Sequence, residues 1–165
     1  MPLLDSRLVT AAALAGNYLP VRIRGESYGI PSDRARGQAD MRELLARPDL
    51  ADWVAGFVTR RGRLIPVLDL YRALSGGSVP PMEVRILLVQ SHSAAHPGLP
   101  VGLCVDAIGE PLYLAEEMIF PRVNFRHGVD SMPCLAEVSG PVRAVLDLDA
   151  IVEQSIFRAR TGPTS

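Results

Sequence analysis

The chain has 165 residues, which is enough to bury a core of its own as one domain or as two small, closely packed ones. Its 17 basic residues, all of them arginine, balance 18 acidic residues, and the net charge of -1 excludes a general attraction to nucleic acid or anionic lipid. The absence of lysine also excludes a P-loop. Because no run approaches the roughly 20 apolar residues of a membrane-spanning helix, we expect a soluble cytoplasmic protein.

Apolar residues recur mostly with the two-residue period of strands, and glycine and proline interrupt them throughout. Residues 18–31 predict a hairpin that turns at Gly25–Glu26, and residues 40–48 predict a short helix capped by Asp40 and stopped by Pro48. Residues 53–59 and 64–70 predict a second hairpin around a turn at Arg61–Gly62. The second half of the chain predicts one helical turn at 70–74, a polar loop at 91–100 and strands at 84–90, 101–107, 113–114 and within 138–148. It ends in a predicted helix that is capped by Asp149. The apolar stripe of this helix consists of Ile151, Val152, Ile156 and Phe157. Short strands at this spacing favour barrels or a sandwich, and we find no sequence repeat.

Residues 25–29 match the G-x-S-x-G pattern of serine hydrolases, with Ser27 as the nucleophile and Asp106 and His127 later in the chain. A nucleophile elbow requires a strand before the serine and a helix after it, whereas here Ile30 and Pro31 resume a strand. A hairpin explains the same residues, so a small hydrolase is only a remote alternative.

A metal site would have to use His92 and His96, which have an H-x3-H spacing, with Cys104 as a third ligand. No paired C-x2-C accompanies them, so we predict no metal and no other cofactor. Cys104 and Cys134 are expected to be inert core residues. Four aspartates, Asp69, Asp106, Asp147 and Asp149, lie at predicted strand ends, where a carboxylate caps turns by accepting backbone N–H groups.

Arginines cluster in two places, but no aromatic residues that would stack on bases are interleaved with them. They are Arg34 and Arg36 in one segment and Arg60, Arg61 and Arg63 in the other. Arg61 at a hairpin apex is either a solvated tip or a recognition element, since a guanidinium on a tight turn is suited to bidentate contact with a partner.

Residues 53–70, WVAGFVTRRGRLIPVLDL, resemble the signature of the CheW-like domain, in which a glycine-containing strand leads to an Asn-Leu-Arg-Gly turn and then to a Pro-Val-Ile-Asp-Leu strand. Further resemblance lies at residues 28–31, 85–89, 102–106 and 146–149. It covers residues 18–157 and leaves 1–17 as an N-terminal extension and 158–165 as a C-terminal tail.

The resemblance implies a mainly β fold of two five-stranded SH3-like barrels on a shared core, with few helices. It implies an adaptor and not an enzyme, which couples the cytoplasmic helical tip of a chemoreceptor to a histidine autokinase and reaches the membrane only through the receptor array. A free-standing module that binds another signalling protein is the alternative. The partner-binding residues that it implies are Val54, Gly56, Phe57, Arg61, Gly62 and Leu64.

Two departures from the family pattern suggest a specialised partner. Thr59 and Arg60 stand where the family usually has Asn and Leu, which makes the turn more basic. The segment Ala35–Arg36–Gly37 stands where a Val-x-Glu strand is frequent. Loss of that glutamate is compatible with a surface-sensing or twitching-type pathway instead of the main swimming pathway.

Overall fold

The computed structural model describes residues 10–47, 54–70, 84–92, 97–121 and 133–161, with side chains described up to residue 154 of the last range. The helices and strands in these ranges are, in chain order, α1 (Ala11–Leu14), β1 (Gly16–Ile23), β2 (Glu26–Pro31), β3 (Ala35–Asp40), β4 (Leu45–Ala46), β5 (Val54–Arg60), β6 (Arg63–Leu68), β7 (Arg85–His92), β8 (Pro97–Val105), β9 (Ala107–Ile108), β10 (Leu112–Leu114), β11 (Ile119–Pro121), β12 (Cys134–Val138), β13 (Ala144–Leu146) and α2 (Leu148–Thr161). Single 3-10 turns lie at Ser32–Arg34, Met41–Glu43 and Glu116–Met118.

The strands form two curled sheets. Sheet one has the order β10-β1-β2-β13-β12-β11, with β9 also pairing with β1, and sheet two has the order β4-β5-β6-β8-β7-β3. The chain builds the first hairpin of sheet one, then all of sheet two, and then returns to complete sheet one. The mainly β, two-barrel fold class is therefore confirmed.

The two sheets, of seven and six strands rather than the five expected for each, share one strand arrangement. In each, an antiparallel hairpin, β1–β2 or β5–β6, is followed by a strand parallel to its second member, β13 or β8. Both hairpins turn at an arginine followed by a glycine, with φ of 53° and 84° at Arg24 and Gly25 and of 51° and 76° at Arg61 and Gly62. Two consecutive positive φ values are typical of the type I′ turn that matches strand twist. The first hairpin thus turns one residue earlier than predicted.

One hydrophobic core joins the two sheets. Ile23 and Ile30 of sheet one and Val58 and Ile86 of sheet two are completely buried in the same cluster, together with Ile151 of α2. Residues two apart on the hairpin strands enter it, such as Val21 and Ile23 of β1 and Ile65 and Val67 of β6, as the two-residue period predicts. The shared core that the resemblance implied is present.

The predicted helix over residues 40–48 is wrong beyond its first turn. Its start is real, because the Asp40 carboxylate accepts a hydrogen bond from the Arg42 amide and the Glu43 carboxylate accepts one from the Asp40 amide. Only one 3-10 turn follows, and then β4 pairs with Gly56 and Phe57 of β5. Pairing with β5 satisfies backbone groups that a longer helix would have satisfied internally. Pro48 lies outside the described residues.

The predicted polar loop over residues 91–100 is also wrong in part, because β7 continues to His92 and β8 begins at Pro97. Ser91 is fully buried, so its polarity did not indicate a loop. The helix cap was misplaced as well. Asp147 caps α2, since its side chain accepts a hydrogen bond from the Ala150 amide, while Asp149 lies in the first turn. The helical turn predicted at 70–74 and the side chains of Ile156 and Phe157 fall almost entirely outside the described residues.

Candidate partner-binding surface

The β5–β6 turn carries the arginine cluster that the sequence singled out. Arg61 and Gly62 occupy the turn, and the side chains of Arg61 and Arg63 are exposed. Neither guanidinium has an ion-pair or hydrogen-bond partner within the described part of the chain. Arg61 is therefore held by its backbone at a hairpin apex, with all its donors available to solvent or to a partner.

A row of apolar side chains lies on the outer face of sheet two, next to this turn. Leu45, Phe57 and Pro66 are directly opposite one another on β4, β5 and β6, and Leu64 is two residues from Pro66 on the same face. Leu64 is 61% exposed and Leu45 is 56% exposed, and with Phe57 and Pro66 they form a continuous apolar patch instead of isolated exposed leucines. We call these four residues the outer row.

Val54 and Gly56 support this surface from beneath. Val54 is buried and belongs to the shared core. Gly56 has a φ of 154°, and a Cβ there would lie 2.1 Å from the carbonyl oxygen of Leu45. Gly56 therefore lets β4 approach β5 closely. Of the six predicted residues, Phe57, Arg61, Gly62 and Leu64 lie on or beside the outer row, while Val54 and Gly56 shape it.

Arg60 does not add free positive charge to the turn, contrary to the expectation from its sequence. Its Nη1 donates to Oε1 of Glu43 at 2.7 Å, and its Nη2 donates to the carbonyl oxygen of Gln38 at 3.2 Å. The Arg60 hydrogen bond lowers the pKa of Glu43 below its ordinary value. Because Gln38 lies on β3, at the opposite end of the strand order from β4, Arg60 links β5, the neighbour of β4, to the far edge of the curled sheet.

A second polar network, which sequence reasoning missed, surrounds Asp149. Its carboxylate accepts hydrogen bonds from Nη1 and Nη2 of Arg34 at 3.1 and 3.4 Å, from the His92 amide at 2.9 Å and from the Ser91 hydroxyl at 3.3 Å. Partial burial raises the pKa of Asp149, but these hydrogen bonds outweigh it, so the pKa is lowered overall. The only sequence signal was the strand-end position of Asp149, because its partner Arg34 is 115 residues away.

The capping role predicted for the strand-end aspartates is confirmed at three positions. Asp147 and Asp149 accept backbone N–H groups as described above, and Asp106 accepts one from Gly25 at 3.0 Å. Asp69 follows β6 directly.

In the segment Ala35–Arg36–Gly37, which departs from the family pattern, Arg36 donates to Oε1 of Gln90 at 2.7 and 3.1 Å. Its guanidinium is therefore engaged within sheet two.

Ser27 is a partly buried strand residue opposite Arg22, and further strand follows it. This geometry differs from a nucleophile elbow, which places the serine before a helix.

His92 ends β7, while His96 and His127 lie outside the described residues. Among the residues that the structure describes, no three metal-ligating side chains gather into one group. Cys104 is buried, and burial is the main cause that raises the pKa of Cys134 to about 12.

The described structure thus has two curled sheets on one core, with an exposed apolar row beside an arginine turn. A sequence profile of the CheW-like domain matches residues 17–155, and the chain belongs to this family. Among solved structures, it is similar to the scaffolding protein TtCheW from Thermoanaerobacter tengcongensis, with a TM-score of 0.65 and 20% identity over 80% of this chain and 87% of that chain. At that identity, the similarity establishes the fold. No curated protein sequence matches significantly. No helix in the described ranges is long and apolar enough to cross a membrane.

Proposed function

We propose that this chain is a non-enzymatic, cytoplasmic scaffold that couples the cytoplasmic tip of a chemoreceptor to a histidine autokinase. Membership of the CheW-like family supports the adaptor role in general. The observation that carries the proposal is the outer row, because exposed large apolar side chains beside an unpaired arginine are typical of a protein-binding surface.

The outer row is the proposed contact for the regulatory domain of the kinase, which in this family has the same fold. Leu64 and Leu45 would lose most of their exposed area in such a contact, and burial of apolar area is its main driving force. Arg61 would lie at the rim, where its planar donor group contacts a carboxylate or a carbonyl of a partner.

The receptor is proposed to bind as an amphipathic helix in the groove between the two barrels. In this arrangement the rigid Arg61–Gly62 turn and the close β4–β5 approach at Gly56 position the edge of the groove. The unit that binds both partners would be residues 18–157, flanked by the extension and the tail.

We propose that the surface of this chain at the start of β3 contacts a partner different from the usual receptor or kinase of the family. Gly37 stands where a glutamate is frequent in the family, and the neighbouring Arg36 is exposed although it contacts Gln90. A partner that complements this position carries an acidic group there, which favours a specialised array of the surface-sensing or twitching type. The same observation supports the alternative of a regulatory module that binds another signalling protein.

The test is to measure the affinity of the purified chain for the regulatory domain of its cognate kinase by calorimetry. We expect Leu64→Glu to weaken binding by about tenfold or more, as at an interface hot spot. Tyr113→Glu is the matched control, since Tyr113 is 62% exposed but belongs to sheet one. Equal affinity of wild type and Leu64→Glu would remove the outer row from the proposal. Labelling of Ser27 by a fluorophosphonate probe would instead support the hydrolase.

A further inference from the structure

Two charged residues lie where the chain passes between the sheets. Arg34 ends the 3-10 turn that connects β2 of sheet one to β3 of sheet two. Asp149 lies in the first turn of α2, which follows β13 of sheet one and lies against β7 of sheet two. Their ion pair therefore joins two separate crossings of the chain, 115 residues apart in sequence.

The pair is anchored on the end of β7 by further hydrogen bonds. Arg34 also donates to the carbonyl oxygen of Gln90, and Asp149 accepts from the amide of His92 and the hydroxyl of Ser91. Exposure of the two charged side chains is only 18% for Arg34 and 32% for Asp149. Partly desolvated, charge-assisted hydrogen bonds of this kind hold a fixed geometry better than exposed surface pairs do.

The core between the sheets does not by itself supply such a geometry. Its buried members are aliphatic almost throughout, among them Ile23, Val58, Ile86 and Ile151. The hydrophobic effect is non-directional, so the buried aliphatic area by itself does not select one rotation of the sheets. Directional polar contacts at the crossing points therefore distinguish one orientation of the sheets from its close alternatives. Besides the pair of Arg34 and Asp149, the Asp106 carboxylate, which follows β8, accepts from the Gly25 amide of the first hairpin.

We propose that Arg34 and Asp149 form an inter-sheet clamp, a positioning pair that fixes the orientation of the two barrels relative to each other. The clamp acts on both connections at once, because α2 and the β2–β3 connection meet at the same end of β7. The consequence for the receptor groove, whose width depends on this orientation, rests on the proposed function. The clamp itself does not.

The experiment measures the distance between the sheets in the isolated protein by pulsed electron paramagnetic resonance. Spin labels are placed at Arg24→Cys and Arg61→Cys, the exposed tips of the two equivalent hairpins. Cys104 is buried and the Cys134 thiol has a pKa of about 12, so labelling near neutral pH favours the introduced cysteines. The distance distribution is compared among wild type, Asp149→Asn and Arg34→Gln.

We expect both clamp variants to shift or broaden the distribution, with far-UV circular dichroism unchanged. Arg143→Gln is the matched control, because it breaks the exposed ion pair of Arg143 with Glu26, which lies on sheet one. The control distribution should equal that of wild type. If the distance distribution is unchanged in both clamp variants, the proposal is overturned. Faster hydrogen exchange in α2 alone would show only that the pair stabilises this helix locally. Asp149→Asn removes the charge but keeps Oδ1 as the acceptor for the His92 amide and the Ser91 hydroxyl. Arg34→Gln removes the other charge and is the second, independent variant for the same measurement.

The same measurement separates this inference from the function proposed above. The spin-label distance requires no receptor and no kinase, so loss of the coupling function leaves the clamp testable. Conversely, the clamp variants can show an unchanged distance distribution while wild type binds both partners. That result would overturn the clamp and leave the proposed function standing.

Discussion

Arg60 and Glu43 form an ion pair at 2.7 Å, and the same arginine reaches the carbonyl oxygen of Gln38 on β3. Through these contacts Arg60 of β5 links β3 to the 3-10 turn that precedes β4. The basic character of the sequence around the turn is thereby reduced to Arg61 and Arg63.

We expect Arg60→Leu to fold and to lower the melting temperature slightly at low salt. Both members of the pair are partly exposed, and exposed ion pairs contribute little and are screened by salt. Thermal denaturation at low and high salt measures this. A large loss of stability that persists at high salt would mean that the contact with Gln38, and not the charge, closes the sheet.

Gly56→Ala should destabilise the protein by about 3 kcal/mol, because it combines an unfavourable φ with a Cβ in contact with the β4 backbone. Gly62→Ala is the control, since its φ is also positive but nothing lies within 4 Å of a Cβ there. We expect about 1 kcal/mol for this control. Urea denaturation checks both values, and equal losses would show that β4 moves away without cost.

Leu64→Ala and Ile65→Ala are neighbouring substitutions with opposite expected outcomes. Ile65 is buried in the core, so its truncation should cost about 3 kcal/mol. Leu64 points outward and should change the free energy of unfolding by less than about 0.5 kcal/mol. If Leu64→Ala proved as destabilising as Ile65→Ala, the outer row would serve folding and not binding.

Asp149 should make stability depend on pH in the acid range. Its pKa in the folded protein is lower than the value of about 3.9 in an unfolded chain, so the carboxylate stabilises the fold above that pH. This contribution is lost as the pH falls through the folded pKa. Asp149→Asn should therefore be less stable than wild type at neutral pH and approach it below about pH 4. A stability difference between the two that is the same at every pH would contradict the ionic origin.

Cys134 should be unreactive towards a thiol reagent in the native protein near neutral pH. Its pKa of about 12, caused mainly by burial, leaves almost no thiolate. Titration with an aromatic disulfide reagent, before and after addition of denaturant, counts the reactive thiols. Rapid native reaction at Cys134, identified by comparison with Cys134→Ser, would indicate that the β12 region opens.

The sequence predicted both hairpins, because alternation along a strand that is buried on one face is visible without knowledge of the partner strand. It misplaced the helix over residues 40–48, since the capping signals at Asp40 are local while the pairing of β4 with β5 is not. It missed the end of β7 because a serine there looks like a loop residue. The buried Ser91 hydroxyl donates a hydrogen bond to Asp149, which is 58 residues away in the sequence. Polar partners at such separations carry no local signal.

The structural repeat was invisible in the sequence for a topological reason. Sheet two is inserted between the first hairpin of sheet one and its remaining strands, so equivalent strands do not recur at a fixed period. The site was only partly predictable for a related reason. The signature residues from Val54 to Leu64 are contiguous, whereas Leu45 joins the outer row only through the pairing of β4 with β5.

The central claim is that this chain physically joins a receptor to a kinase, and the most direct measurement is co-sedimentation of the purified components. A membrane-anchored or vesicle-bound receptor fragment is mixed with the cognate kinase, with and without this chain. We expect the kinase to sediment with the receptor only when the chain is present, and Leu64→Glu to sediment alone without carrying the kinase. A wild-type chain that neither binds the receptor nor brings the kinase to it would contradict the coupling role.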